Sequence, residues 1–151
     1  DICFGNARDA AKCLGYFEDG VDFIDGDYSI CVDEEHMRNV LNHYHFSHLI
    51  TTLRNSISAS DNGWSGAVCT PDDYYKGRDY MLHIVDRVGG GDSFASGFLH
   101  GILSDMGSRK SLEFGLASAA IKHTIPGDLN YINESEVLAM IESDGAGRVQ
   151  R

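Results

Sequence analysis

The sequence predicts a layered α/β fold, and three observations carry that prediction. Apolar runs of strand length alternate with helical periodicities in the first half, helices dominate the second, and three successive glycines open a helix dense in small and apolar residues. Of the 151 residues, 42% are hydrophobic, 23% are charged and only 2 are Pro, a balance that builds a buried core and excludes a disordered or fibrous chain.

The elements follow in order. Residues 2–5 form a short apolar run that reads as a strand. Asn6-Ala7-Arg8-Asp9 then leads into Ala10, Ala11 and Leu14 at helical spacing, closed by Gly15. Residues 16–32 are rich in Asp and Gly and read as a loop or an irregular excursion. Asp33-Glu34-Glu35 starts a helix carrying Met37, Val40, Leu41 and Tyr44, and a strand is predicted over 46–53. Ser, Asn, Asp and Gly dominate residues 55–63, which read as a polar loop. Two β-like runs, 64–69 and 80–85, are separated by Pro71-Asp72-Asp73 and Lys76-Gly77, so a hairpin is expected. The glycine run then opens a helix through Leu103, buried because it is apolar on every side. Residues 112–123 predict a further helix, 125–128 a tight loop, and Asn133-Glu134-Ser135-Glu136 caps a last helix through Val137, Leu138 and Ile141. Residues 145–151 read as a polar tail.

Charge narrows the partners. Twelve Lys+Arg against 23 Asp+Glu give a formal net charge of −11, which repels phosphate backbones, and no basic cluster opposes it; no nucleic-acid partner is expected. Apolar runs such as 119–121 fall far short of the roughly 20 residues that a membrane helix needs, so no membrane partner is expected either. Cys3, Cys13, Cys31 and Cys69 match neither a zinc knuckle nor a disulfide scaffold and read as reduced thiols of a cytoplasmic protein. The opening Asp1-Ile2-Cys3-Phe4 has no initiator Met and enters directly on a strand, as a chain entered partway would.

The strongest chemical signal is Asp86-Arg87-Val88-Gly89-Gly90-Gly91-Asp92 at a loop-to-helix junction. Consecutive glycines let successive N–H groups converge, and the helix N-terminus adds partial positive charge, so the turn is an anion site without any Lys. Asp92 would repel a bound phosphate unless it serves as general base toward an attacking hydroxyl; the alternative is Asp92 as a helix cap. Neither the dinucleotide fingerprint nor the Walker loop is present, since Phe94 stands where a glycine would be needed. Ser93 as a nucleophile after Gly91-Asp92 lacks the C-terminal Asp-x-x-His pair such esterases use. Asn6 and Asp9 read either as a helix cap or as a polar pair holding water around a phosphate-borne Mg²⁺. His43, His45 and His48 are expected to scatter across a helix end, a turn and a strand start rather than bind zinc. The polar loop of residues 58–63 follows a strand, where α/β folds place ligand contacts, and Trp64 is expected in the core.

Residues 85–97, Val-Asp-Arg-Val-Gly-Gly-Gly-Asp-Ser-Phe-Ala-Ser-Gly, resemble the C-terminal signature of the ribokinase-like (PfkB group) carbohydrate kinases. Thr52-Leu53-Arg54, the segments 58–65 and 123–131, and Asp86-Arg87-Val88 resemble in order those of the 2-keto-3-deoxygluconate kinases within that group, and residues 144–151 resemble a natural C-terminus. The resemblance implies the C-terminal, nucleotide-binding and catalytic portion of a single three-layer αβα domain, residues 1–151, without its opening βαβ units and lid sheet. It implies ATP and Mg²⁺ as cofactors, Asp92 as base, and Gly89, Gly90 and Gly91 with the Asp92 N–H as anion hole. Thr52, Arg54, Ser60 and Gly63 then fall at nucleotide contacts, Arg54 standing where the wider group has glycine. Asp128 falls at a substrate contact beside Asp92. Asn6 and Asp9 fall on the family's Asn-x-x-Glu motif, with Asp in place of Glu, reaching Mg²⁺ through water. The implied activity is ATP-dependent phosphorylation of a sugar acid, 2-keto-3-deoxygluconate to its 6-phosphate, in a protein that self-associates at full length. The alternatives are another kinase of the group, for fructose, ribose or a nucleoside, or an inactive nucleotide-binding fragment. Without lid and sugar contacts, this chain alone is expected to turn over negligibly.

Overall fold

The computed structural model describes residues 1–6, 33–58 and 60–143. The helix expected around residues 10–14, the loop of 16–32, Cys13, Cys31 and the C-terminal tail lie outside them. In chain order the elements are β1 (Ile2–Asn6), α1 (Glu34–Tyr44), β2 (His48–Ser56), β3 (Asp61–Cys69), β4 (Tyr74–Lys76), β5 (Tyr80–His83), α2 (Gly90–Leu103), α3 (Ser108–Lys122) and α4 (Glu134–Glu142). The strands form a mixed sheet in the order β1-β2-β3-β4, with β5 beside β3 off that path. Among the described residues no helix is long and apolar enough to cross a membrane.

Two compact units divide the chain. The first comprises residues 1–53 and 66–76. Here β1 runs parallel to β2, from Ile2 opposite His48 to Asn6 opposite Thr52. α1 is capped as its sequence requires, the Asp33 carboxylate accepting from the Glu35 N–H at 3.0 Å and His45 ending the helix in the left-handed region at φ 57°. Its apolar stripe, Met37, Val40 and Leu41, packs on Leu49, Ala67 and Cys69. Because side chains alternate across a strand, Ile50 and Val68 point to the other face, and both are buried, so the sheet is covered on each side.

The second unit comprises residues 54–65 and 77 onward. Two sequence expectations are corrected at its strands. The polar stretch 55–63 is mostly strand: β2 runs through Ser56 and β3 begins at Asp61, leaving a short turn closed by the Ser58 and Asp61 side chains, whose oxygens lie 2.8 Å apart. Cross-strand pairing overrides the local turn chemistry, with Asp61 to Trp64 opposite His83 to Tyr80. The expected hairpin is also shorter than predicted. β3 first pairs with the unforeseen β4, Ala67 opposite Lys76, and only then with β5. The return path breaks at Gly77 and Arg78, where the Arg78 N–H donates to Glu113 of α3 and its guanidinium to the Ile141 carbonyl after leaving the ladder.

α2 and α3 approach through notches. A Cβ on Gly97 would stand 2.7 Å from the Ser118 hydroxyl oxygen, one on Gly115 2.8 Å from the Phe94 carbonyl, and one on Gly101 2.7 Å from the Ser111 Cα. At Gly101 and Gly115 backbone atoms stand in the way, and at Gly97 the Ser118 side chain does, with the Gly115 Cα 3.0 Å off, so a larger residue forces the helices apart. Gly101→Val is therefore expected to lower unfolding free energy by about 2 kcal/mol or more, read as a lower urea midpoint, while Gly91→Ala, with nothing within 4 Å of the added Cβ and a helical backbone, should fall well short of that.

Candidate active site

The site is built at the N-terminus of α2. Gly89 is the cap residue, in the left-handed region at φ 77°, and provides no side-chain cap. Only glycine suits this position: besides the backbone conformation, a Cβ would meet the Asp128 carbonyl, and the Lys122 Cε lies 3.3 Å away. Gly90 lies against the His123 ring, its virtual Cβ 2.8 Å from the ring edge, whereas nothing stands within 4 Å of the corresponding point on Gly91. The turn is thus closed behind and open in front.

The first N–H groups of a helix have no partner within it. Gly90 N–H donates to Arg87 O at 3.3 Å, and the Ser93 N–H makes the first helical bond, to Gly89 O at 2.9 Å. The N–H groups of Gly91 and Asp92 donate to no backbone carbonyl among the described residues. Asp92 sits in the first helical turn, exposed, and among the described residues its carboxylate accepts no hydrogen bond. The cap reading of Asp92 is therefore set aside, because Gly89 occupies the cap. Ser93 is buried and its hydroxyl donates to Ser118 O at 3.2 Å, which leaves it no role as nucleophile.

Asp86, Lys122 and His123 hold this turn, and sequence reasoning gave none of the three a role. The Asp86 carboxylate accepts from the Val88 N–H at 3.0 Å and the Gly127 N–H at 2.9 Å. Those two bonds, with the Lys122 charge adding to them, hold its pKa below the usual carboxylate value. The Val85 and Asp86 N–H groups both donate to the His123 carbonyl, so the loop before the glycines is stitched to the loop after α3. Asp86 lies inside the glycine motif and His123 opens the segment 123–131 that carries part of the resemblance, so both had a signal; Lys122, at the end of an alanine-rich stretch, had none.

The His123 ring is buried, with Nδ1 2.6 Å from the Ala119 carbonyl. A carbonyl only accepts, so Nδ1 carries the proton. Trp64 is in the core as expected, its ring edge-on to Phe94 and tilted over His123 at 5.4 Å. Burial lowers the His123 pKa, the Ala119 bond opposes this, and the charges of Lys122, Arg54 and Arg87 lower it further. Arg54, exposed at the end of β2, thus acts on the same locality.

The other predicted residues divide. The backbone of Asp128 backs Gly89 while its side chain is exposed. Ser60 lies in the turn before β3, its N–H donating to the Ser58 hydroxyl oxygen and its carbonyl accepting from Ile84 N–H. Gly63 is not in the loop but within β3, opposite Met81. Thr52 belongs to the first unit, opposite Asn6. Asn6 is described only by its backbone, and Asp9 lies outside the described residues. Among those residues no three His, Cys, Asp or Glu are grouped to hold a metal. A cavity of about 290 Å³ lies farther along α2, lined by Ser96, His100, Phe114 and Val137; Asp92 takes no part in it.

α2 buries one face, Phe94 and Phe98 with Gly97 and Gly101, and leaves Leu99 and Leu103 exposed, so it is not the wholly buried helix that its composition predicted. A glycine turn and an exposed carboxylate open it, and the fold that carries them is ribokinase-like. A 2-dehydro-3-deoxygluconokinase of Thermotoga maritima superposes with a TM-score of 0.79 at 35% identity, over 93% of this chain and 41% of that one. A ribokinase of the same organism, 17% identical with a TM-score of 0.65 over 93% and 42% of the two chains, shares the fold alone. Residues 68–135 match the model of the pfkB family carbohydrate kinases. A curated relative, a 5-dehydro-2-deoxygluconokinase of Halalkalibacterium halodurans, is 37% identical over 73 residues, 46% of this chain and 22% of its own length. The chain therefore spans about two fifths of the solved relative, and the match covers less than a quarter of the curated one.

The His123 shift has a measurable consequence. Its folded pKa lies below the ordinary 6.5, so below that value the unfolded chain binds a proton that the folded chain refuses. The stabilising contribution is complete above the unfolded pKa and is lost as pH falls through the folded one. In denaturant titrations from pH 7.5 to 5, His123→Gln should flatten the acid-side loss of stability, leaving a smaller slope from His48, whose pKa burial also lowers.

Proposed function

We propose that this chain supplies the nucleotide-side and catalytic portion of a single ribokinase-like domain that phosphorylates the terminal hydroxyl of a sugar acid from ATP. The substrate we propose is 2-keto-3-deoxygluconate, giving its 6-phosphate. The observation that carries this reading is the exposed Asp92 carboxylate, without a hydrogen-bond partner among the described residues, one step beyond the N–H groups of Gly91 and its own backbone. The names of the solved and curated relatives, both kinases of keto-deoxy-gluconates, support the substrate class.

In the proposed reaction the sugar hydroxyl gives its proton to Asp92 as its oxygen bonds to the γ-phosphorus. The bond from that phosphorus to the β,γ-bridging oxygen breaks, and the electron pair leaves with ADP. The Gly91 and Asp92 N–H groups, with the dipole of α2 behind them, meet the charge on the transferring group without reorganising. Arg54 is proposed to contact the nucleotide with Thr52 and Ser60, and Asp128 to contact the sugar. Mg²⁺ neutralises phosphate charge when bound, and Asn6 and Asp9 are the proposed water-mediated contacts to it. Gly63, paired within β3, has a weaker claim to a nucleotide contact than sequence suggested.

Asp92→Asn keeps the size and removes the base. In the complete protein that carries these residues it should leave ATP affinity within a few-fold and cut turnover of 2-keto-3-deoxygluconate by about 10³ or more. Turnover within tenfold of the unsubstituted protein would remove Asp92 from the mechanism. Faster turnover of fructose, ribose or a nucleoside in the same assay would reassign the substrate.

A further inference from the structure

Lys122, the last residue of α3, is fully buried. Its Nζ donates to the Ile125 carbonyl at 3.1 Å, and among the described residues no carboxylate lies within 4 Å of it. An ammonium removed from water with one carbonyl as its partner carries a desolvation cost that an apolar side chain of the same length would not. The position of the charge gives a reason to retain it. The Lys122 Cε stands behind Gly89, on the side where the Asp128 carbonyl also touches, and the Ile125 carbonyl it holds begins the loop whose Gly127 N–H is bound by Asp86. The Lys122 charge is felt at both Asp86 and His123, the two groups that fasten the turn. The chain carries a formal net charge of −11 and sets two carboxylates, Asp86 and Asp92, at the ends of its anion site. Backbone N–H groups alone would meet a phosphate there against that field.

We infer that the Lys122 ammonium is an internal cation of the anion site: it fixes the loop behind Gly89 and offsets the local negative field, so that the turn of residues 89–92 accepts a polyphosphate. Lys122 is a positioning residue in this role, touching the turn from behind and never the reacting atoms. The inference rests on the nucleotide reading above.

The test is calorimetric titration of the complete protein that carries these residues with ATP and with ADP in magnesium buffer, alongside thermal unfolding. Lys122→Met keeps the bulk and removes the charge. It should weaken ATP binding about tenfold or more, ADP less, with an unfolding midpoint unchanged or raised. Lys122→Ala leaves a space the size of propylamine. Propylammonium should restore its ATP affinity and propanol should not; this arm also serves if Lys122→Met fails to fold, because the alanine variant can be refolded with either additive. ATP binding by Lys122→Met within twofold of the unsubstituted protein, or equal rescue by propanol, would overturn the inference and leave the nucleotide reading standing. If the unsubstituted complete protein does not bind ATP, the nucleotide reading itself fails, and the inference with it.

Discussion

The close contact of α2 and α3 is the constraint on which the second unit depends. Gly97 and Gly101 on one helix and Gly115 on the other remove the side chains that would hold the axes apart, and backbone meets side chain at distances no Cβ could share. A helix so placed cannot slide or rotate without collision, so its N-terminus is fixed relative to the end of α3. That end delivers Lys122 and His123, and the following loop delivers Asp128. The Gly89 turn is held between them, and its open side follows from where α3 stops. The precision of the candidate site is thus inherited from a helix pair whose contacts lie one to three turns away.

Much of this was legible in the sequence, and the reasons differ by element. The caps of α1 and α4 were readable because their chemistry is local: Asp33 two residues before the N–H it binds, and Asn133 and Glu136 in a reciprocal box. The glycine turn was readable because three glycines before an apolar helix have few other uses. β4 and the start of β3 were not, because Asp61, Asn62 and Gly63 carry turn chemistry and become strand only through pairing with β5, a contact some twenty residues distant. Nor was the burial of Lys122. A lysine near a helix C-terminus ordinarily complements the dipole in water, and only the loop folded over it makes it an interior charge.

The electrostatics of the site reverse those of the chain. A net charge of −11 disfavours any anion at long range, so affinity for phosphate has to come from short-range groups in a partly desolvated place, where each is worth more than in water. Of the charges near the turn, that of Lys122 is of this kind; the Gly91 and Asp92 N–H groups at the start of α2, with Arg54 and Arg87, are exposed and act at short range. Burial is the main reason that the His123 pKa is lowered, and these cations add to it: charges that favour an anion disfavour a further proton on the imidazole.

Two carboxylates flank the glycines, and their surroundings assign them different work. Asp86 spends its oxygens on the Val88 and Gly127 N–H groups, and those bonds hold its pKa down. A carboxylate so engaged is a poor acceptor for a substrate proton, since protonation would forfeit both bonds and loosen the loop that backs Gly89. Asp92 has no such engagement among the described residues and stands at the open side of the turn. A proton arriving there breaks no structural bond. The six-residue spacing between them places the structural carboxylate before the turn and the unengaged one after it, so that the groups shaping the proposed anion site are not the groups that the proposed chemistry would consume.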